Sequence, residues 1–260
     1  QTGSNQQFSA VGKDQYGATL SPQPAFTWSV TGGGTIDSTG LLSATTVGGP
    51  FAVTATSGTV NGSATLTVTP PAPAITSALS ASGTTGSAFS YQIAASNSPT
   101  SYGASGLPAG LSVNTGTGLI SGTPTATGTS SVTISATNAG GTGSATLTIT
   151  VLPPAPVITS ALSANGTAGS AFSYQIAASN SPTSYNATGL SSGLSVNTNT
   201  GVISGTPTAS GTSSVTLSAT NGGGTGTATL TLTVSAGPLA AISVSPAAGT
   251  SFRSGSEMRP

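Results

Sequence analysis

Apolar and hydroxyl side chains alternate along most of this chain. In "SATLTITV", Ala145, Leu147, Ile149 and Val151 share one parity and Ser144, Thr146, Thr148 and Thr150 the other. "TATLTLTV" (227–234) repeats this with Ala228, Leu230, Leu232 and Val234; "AFSYQIAA" groups Phe89, Tyr91 and Ile93, and "SVTISAT" groups Val132, Ile134 and Ala136. Successive side chains on a strand point to opposite faces, so a period of two bounded by Gly, Asn and Pro predicts half-buried strands. Such runs return about every ten residues, the spacing of an antiparallel sandwich. No window carries the apolar spacing of an amphipathic helix. The expected class is all-β.

The pattern is itself repeated. "LSVNTGTGLISGTPTATGT" (111–129) returns as "LSVNTNTGVISGTPTASGT" (194–212), and "PAPAITSALSASGTTGSAFSYQIAASNSPTSY" (71–102) returns, nearly unchanged, from 154 to 185. This offset of 83 positions exceeds the 20–50 residues of solenoid units and suits complete small domains. Each copy opens on a proline cluster, Pro70-Pro71-Ala72-Pro73 and Pro153-Pro154-Ala155-Pro156, a composition that makes a short, stiff joint. The expected organisation is a domain over 1–70, repeats over 71–152 and 153–235, and a tail over 236–260, arranged as an elongated string. Within each repeat "GLSVN" and "GLISG" predict a tight hairpin across Thr115–Gly118, with Gly116 and Gly118 expected at positive φ. Pro124 presets φ for the following turn. A phosphate cradle built on these glycines is excluded, because neither a lysine nor a helix follows them.

Composition removes several function classes. The chain has 37 Gly and 17 Pro but only 2% charged residues and a net charge of zero, against roughly 25% charged in ordinary globular domains. Its charges are Lys13, Asp14, Asp37, Arg253, Glu257 and Arg259. Regular placement of Val, Ile, Leu and Phe separates it from a disordered polar linker. Without a basic patch it is not expected to bind nucleic acid, and no apolar run approaches the ~20 residues of a membrane span. The Thr-rich, Lys-poor surface points to an extracellular or cell-surface location. Uncharged strands also lack the charges that usually protect sheet edges, and zero net charge favours association, so prolines, attached sugar or neighbouring subunits are expected to cover the edges.

Specific stretches resemble known families. "GLPAGLSVNTGTGLISGTPTATGT", followed by "VTISATNAGGTGSATLTITV", resembles the Putative Ig repeats of bacterial surface and secreted proteins, relatives of cadherin-like and dystroglycan-type modules. The resemblance covers nearly the whole of both copies and implies tandem immunoglobulin-like sandwiches. The second copy has Ser191-Ser192 where the first has Pro108-Ala109, so a looser loop is expected there. The calcium sites of cadherin-like relatives are not implied, since calcium requires several carboxylates and neither copy has one. In residues 1–70, "KDQYG", "FTWSV", "IDSTGLLSA" and "VTATSG" resemble the bacterial Ig-like domains of intimin- and invasin-type adhesins. Trp28 is then a core aromatic and Lys13-Asp14 a solvated turn pair.

That group begins with a strand of the type "ITVSPA" before a "G-x-x-Q-Q-F" strand, whereas this chain opens on "QTGSNQQF". The resemblance therefore implies a first domain lacking its first strand. "LAAISVSPAAGTSF" (239–252) is similar to the missing type, with Ile242, Val244 and Pro246 alternating as it requires. Two accounts follow. The chain is a segment of a longer tandem array whose next domain starts in the tail, or Ile242, Val244 and Pro246 of one molecule are donated to the first domain of the next. Strand donation supplies main-chain hydrogen bonds and fills alternate pockets, and a head-to-tail contact that does not close makes an open filament.

Chemistry is sparse. Histidine and cysteine are absent, which removes the commonest bases, nucleophiles and transition-metal ligands, and the serines have no partner base. Asp14 and Asp37 are read as turn caps rather than a catalytic pair. No enzyme, cofactor or metal is expected. Tyr102 and Tyr185, in the repeated "SNSPTSY", are candidates for stacking on a sugar ring, against the plainer role of covering a sandwich end. Asn61, Asn165 and Asn186 begin acceptor patterns for N-linked sugar. The leading expectation is a structural stalk or fibre protein of the bacterial exterior, partnered by other copies of itself or by neighbouring domains. The alternative is an accessory module of a secreted enzyme, adhesin or phage particle that binds polysaccharide or another surface.

Overall fold

The structure, a computed structural model, describes residues 1–238. These form strands and turns with no helix. Residues 1–70 contribute β1 (Asn5–Gln7), β2 (Thr27–Val30), β3 (Gly34–Ile36), β4 (Leu41–Ala44), β5 (Gly48–Ser57) and β6 (Val60–Val68). They make two sheets, ordered β1-β4-β3 and β2-β5-β6. The first repeat contributes β7 (Ser80–Thr84), β8 (Phe89–Gln92), β9 (Ser101–Ser105), β10 (Leu111–Val113), β11 (Leu119–Gly122), β12 (Gly128–Asn138) and β13 (Gly141–Leu152). The second repeat contributes β14 (Ser163–Thr167), β15 (Phe172–Gln175), β16 (Ser184–Thr188), β17 (Leu194–Val196), β18 (Val202–Gly205), β19 (Gly211–Asn221) and β20 (Gly224–Ser235). The repeats share one plan: a four-stranded sheet (β7-β13-β12-β9; β14-β20-β19-β16) and a three-stranded sheet (β10-β11-β8; β17-β18-β15). The chain divides into two compact units, Gln1–Pro154, which holds two sandwiches, and a second that begins at Ala155 and holds one.

The alternating residues become the cores. In the first repeat Val132, Ile134, Leu147 and Ile149 of the larger sheet are fully buried and meet Phe89 and Ile120 of the smaller one. Val215, Leu217, Leu230 and Leu232 do the same against Phe172 and Ile203 in the second. Their hydroxyl neighbours face outward or lie half-buried.

One feature separates the repeats from the first domain. In each repeat a strand runs parallel along the outer edge of the last strand: β7 pairs Ser80–Thr84 with Thr148–Leu152, and β14 pairs Ser163–Thr167 with Thr231–Ser235. Ahead of it, Ile75 bridges antiparallel to Ala95, and Ile158 to Ala178. Among the described residues no strand lies on the far side of β6. Just past that strand's end, the Thr2 N–H donates to the Thr69 carbonyl at 3.0 Å.

Two turn expectations need correction. Gly118 takes φ 76° and its counterpart Gly201 75°, but Gly116 is not at positive φ. Asn114 Oδ1 accepts from the N–H groups of Gly116 and Thr117 (3.0 Å each), and so closes the turn without a left-handed residue at 116. Asn197 does the same for Asn199 and Thr200, so an asparagine is tolerated at the position equivalent to Gly116. The Ser191-Ser192 loop is not looser. Its bonds Leu194 N–H to Ser191 O (3.1 Å) and Thr208 N–H to Ser192 O (3.0 Å) match Leu111 to Pro108 and Thr125 to Ala109. A further contact joins the Ser191 and Ser213 hydroxyls at 3.0 Å. The predicted strand over 239–252, with Ile242, Val244 and Pro246, lies outside the described residues.

Candidate functional site

Three glutamines locate equivalent positions in the three domains. Gln7 Nε2 donates to Phe8 O and Thr39 O, Gln92 to Ile93 O and Thr117 O, and Gln175 to Ile176 O and Thr200 O, all within 2.7–2.9 Å. The residue after each glutamine donates its N–H to a turn glycine: Phe8 to Gly40, Ile93 to Gly118, Ile176 to Gly201. Phe8 thus stands where Ile93 and Ile176 stand, and Ala10 where Ala95 and Ala178 are bridged by Ile75 and Ile158. Ile93 and Ile176 are buried to 1% and 0% exposure. Phe8 is only half-buried.

Among the described residues, nothing covers the corresponding place in the first domain. A cavity of about 640 Å³ lies between the Phe8–Lys13 segment and the Val60–Ala64 end of β6, floored by Trp28, Val53 and Ala55. Val11, Leu20 and Val60 on its walls are 58%, 39% and 72% exposed. Trp28 packs on the small core of Leu42, Ala44, Val53 and Val68, with its ring also lying against Gly40. It is both the core aromatic expected from sequence and part of the open wall. Sequence reasoning singled out Trp28 but not Phe8, Val11, Leu20 or Val60. The signal that marks them is the glutamine register, which becomes legible only when the domains are aligned through it.

The proline joints are held by side chains of the repeats themselves. Asn138, 7% exposed, donates to Pro71 O (2.8 Å) and Asn97 O (2.7 Å) and accepts from Gly140 N–H (2.8 Å). Asn97, in the left-handed region at φ 59°, donates to Ala72 O at 2.8 Å. A Cβ on Gly143 would lie 1.8 Å from Pro73 O, so only glycine lets the joint lie this close. In the second repeat Asn180 holds Ala155 O (2.8 Å) and Asn221 holds Asn180 O (2.7 Å). Past the joint, the Tyr91 hydroxyl bonds Ser77 and the Ala78 carbonyl, and Tyr174 does likewise with Ser160 and Ala161.

Tyr102 and Tyr185 do not meet each other in one site. Each ring lies against the turn glycine of its own repeat, Gly118 or Gly201, and packs on that repeat's core. Asp14 and Asp37 sit on separate turns. Asp14 Oδ1 accepts from Tyr16 and Ala18 N–H (2.9 Å each). Asp37 Oδ1 accepts from the Thr39 hydroxyl (2.7 Å), Thr39 N–H and Leu41 N–H. The Thr39 hydroxyl, then the Leu41 N–H, hold the exposed Asp37 carboxyl below the usual carboxylate range. Among the described residues no three His, Cys, Asp or Glu come together as a metal site, and no helix is long and apolar enough to cross a membrane.

The family model described as "Putative Ig domain" matches residues 72–152 and 155–235, more than half of the chain. The chain belongs to this Putative Ig domain family. Residues 1–70 lie outside the matched segments. The Ig-like fold is typical of non-enzymatic modules, and each copy of the family model coincides with one sandwich described above. No curated protein matches the chain. Among solved structures it is similar to titin I-band fragment I67–I69 (15% identity, 85% of each chain, TM-score 0.46). It is also similar to the Sidekick-1 immunoglobulin domains 1–4 (18% identity, 90% of this chain and 72% of that one, TM-score 0.46). A structure described as a "putative alpha-galactosidase" from Bacteroides fragilis NCTC 9343 matches at 30% identity over 39% of this chain and 22% of its own, with a TM-score of 0.31. The chain thus spans about a fifth of that galactosidase.

Proposed function

We propose that this protein is a non-enzymatic structural element of the bacterial exterior, a load-bearing stalk or fibre subunit whose Ig-like domains set distance between whatever lies at its two ends. The observation that carries this reading is the pairing that closes each repeat. The chain enters through β7 and leaves through β13, and these run parallel over five residue pairs; β14 and β20 do the same. Pulling on the two ends loads those ladder bonds together, in shear, instead of opening them one at a time. Asn138 and Asn97 clamp the joint just before the loaded strand. The absence of histidine and cysteine from the sequence fits a role without chemistry. The finer form of the reading is head-to-tail polymerisation through the C-terminal strand, with other copies of the chain as partners and an extracellular location.

Single-molecule pulling of the full chain tests the mechanical role. Two equal high-force events are expected, each lengthening the chain by roughly 24 nm, that is the ~28 nm reach of 81 extended residues less the ~4 nm spanned by the folded repeat along its 12-residue last strand, with the first domain yielding at lower force. Repeats that unfold at forces no higher than the first domain would overturn the reading.

A further inference from the structure

The two clamp asparagines are alike, but the residues that follow them are not. Asn138 and Asn221 are 7% and 8% exposed, and each pairs across a two-residue turn with a glycine, Gly141 or Gly224. Asn221 Nδ2 donates to Asn180 O (2.7 Å) and its Oδ1 accepts from the Gly223 N–H (2.8 Å). Asn138 does the same with Asn97 O and the Gly140 N–H. The next residue is Ala139 in the first repeat and Gly222 in the second. Ala139 shows that the turn itself does not need a glycine there. Gly222 is exposed, and among the described residues its N–H has no hydrogen-bond partner. With no Cβ beside it, that nitrogen is free to approach the side chain of the residue before it. Two other Asn-Gly pairs exist, Asn61-Gly62 and Asn165-Gly166. Both lie inside paired strands, opposite Thr56 and Ala55 and opposite Thr233 and Val234, where the extended backbone is fixed on both sides. Only Gly222 lies in a turn.

We propose that Asn221 is a self-modification site, and that it makes the second joint a latch that opens once. While the Asn180 and Gly223 bonds hold, they fix the amide and withhold it from reaction. When a local opening breaks them, the Gly222 nitrogen gives up its proton and bonds to the side-chain carbonyl carbon of Asn221. The bond from that carbon to the amide nitrogen breaks, and ammonia leaves with the proton. Water then adds to one of the two carbonyls of the five-membered imide, breaks its ring bond to nitrogen and leaves aspartate or isoaspartate. Either product puts a carboxylate where an N–H donor faced the Asn180 carbonyl. It cannot donate to that oxygen, and burying it unpaired is unfavourable, so the clamp does not close again. Isoaspartate also lengthens the main chain by a methylene group just before the turn. Asn180 is the residue that holds Ala155 O at 2.8 Å, so its release passes to the joint. In the first repeat the Ala139 Cβ obstructs the same attack, and the joint at Pro71-Ala72 keeps its clamp.

The test uses the full chain, kept warm in mildly alkaline buffer and sampled over time. Peptide mass spectrometry, after digestion at aromatic and leucine residues, follows the exchange of amide for acid at each asparagine. Acid is expected to accumulate at Asn221 on the order of tenfold faster than at Asn138, the difference that the Ala139 Cβ makes. A synthetic peptide of residues 217–226 should react faster than the folded chain, because nothing clamps its amide. Hydrogen exchange reads the latch. The Ser179 N–H donates to Val157 O at 2.9 Å, and its counterpart Ser96 N–H donates to Ala74 O at the same distance. Protection at Ser179 should fall in step with conversion of Asn221, while protection at Ser96 stays. Gly222→Ala, a residue that the first repeat already accommodates in this turn, should slow conversion to the rate of Asn138 and keep Ser179 protected. Equal conversion at Asn138 and Asn221 overturns the proposal, as does conversion that Gly222→Ala leaves unchanged or that proceeds first at Asn61 or Asn165. A folded chain that reacts as fast as the peptide, or a converted chain with Ser179 still protected, overturns the latch. Every outcome is read on an unloaded chain, so the mechanical reading stands or falls separately.

Discussion

The first domain and the two repeats hold the same clasp in different states of completion. Gln7, Gln92 and Gln175 bind their turns alike, and Asp37, Asn114 and Asn197 close those turns alike. Yet the repeats bury nine and ten apolar residues and the first domain buries five. One strand contributes to the difference. Where Ile75 and β7 cover the gap between the sheets, Ile93 disappears from solvent; where nothing described covers it, Phe8 and Trp28 stay half-exposed. A sandwich core is thus set by the strand that straddles its two sheets as much as by the sheets themselves.

The comparison can be broken most directly at equivalent positions. Ile93→Ala removes a fully shielded side chain and is expected to cost about 2–5 kcal/mol. Phe8→Ala, its counterpart in an open wall, should cost clearly less. Denaturant unfolding followed by circular dichroism for the repeat and by Trp28 emission for the first domain measures both, and equal costs would refute the open-groove account. Gly143→Ala comes next. Its Cβ would meet the Pro73 carbonyl, so the joint must shift, at roughly 1–3 kcal/mol. Asn138→Ala leaves the carbonyls of Pro71 and Asn97 and the Gly140 N–H without their partner and should cost about 1–3 kcal/mol. Its thermal midpoint, measured beside that of Asn97→Ala, shows whether the joint is clamped by both residues. The smallest effect is with pH. The Asp37 carboxyl is held low in the folded state, so its contribution is complete above the ordinary carboxylate range and is lost as pH falls below about 4. With no histidine to titrate, the melting temperature should be level from about pH 5 to 9. A melting temperature that does not fall below about pH 4 in the wild type relative to Asp37→Asn would contradict the assignment of Asp37 as a turn cap.

Much of the fold was legible because its code is local. The alternation at 144–151 and 227–234 names the buried face residue by residue, and the 83-residue offset fixes the repeats. The hairpin at 115–118 was legible too, except that Gly116 looked like the left-handed residue when Asn114 does that work with its side chain. Ser191-Ser192 looked looser than Pro108-Ala109 because proline rigidity is visible in sequence, whereas the Ser191–Ser213 hydroxyl contact, 22 positions apart, is not. The groove was only half legible. The resemblance of residues 1–70 drew attention to this domain, but the cavity walls come from Phe8, Leu20 and Val60, residues far apart in the chain that no short pattern joins. Tyr102 and Tyr185 drew attention as a repeated exposed-looking motif, and their contacts with Gly118 and Gly201 show how readily an aromatic beside a turn folds back onto its own domain.

The asparagine clamp has a consequence for how such a chain can change length. Pro71 and Ala72 are gripped by residues downstream of them, so each repeat carries its own hinge as part of its own fold. Duplicating or deleting a whole repeat therefore brings along or removes one finished joint. The number of joints becomes a quantity that genetic recombination can adjust in whole steps.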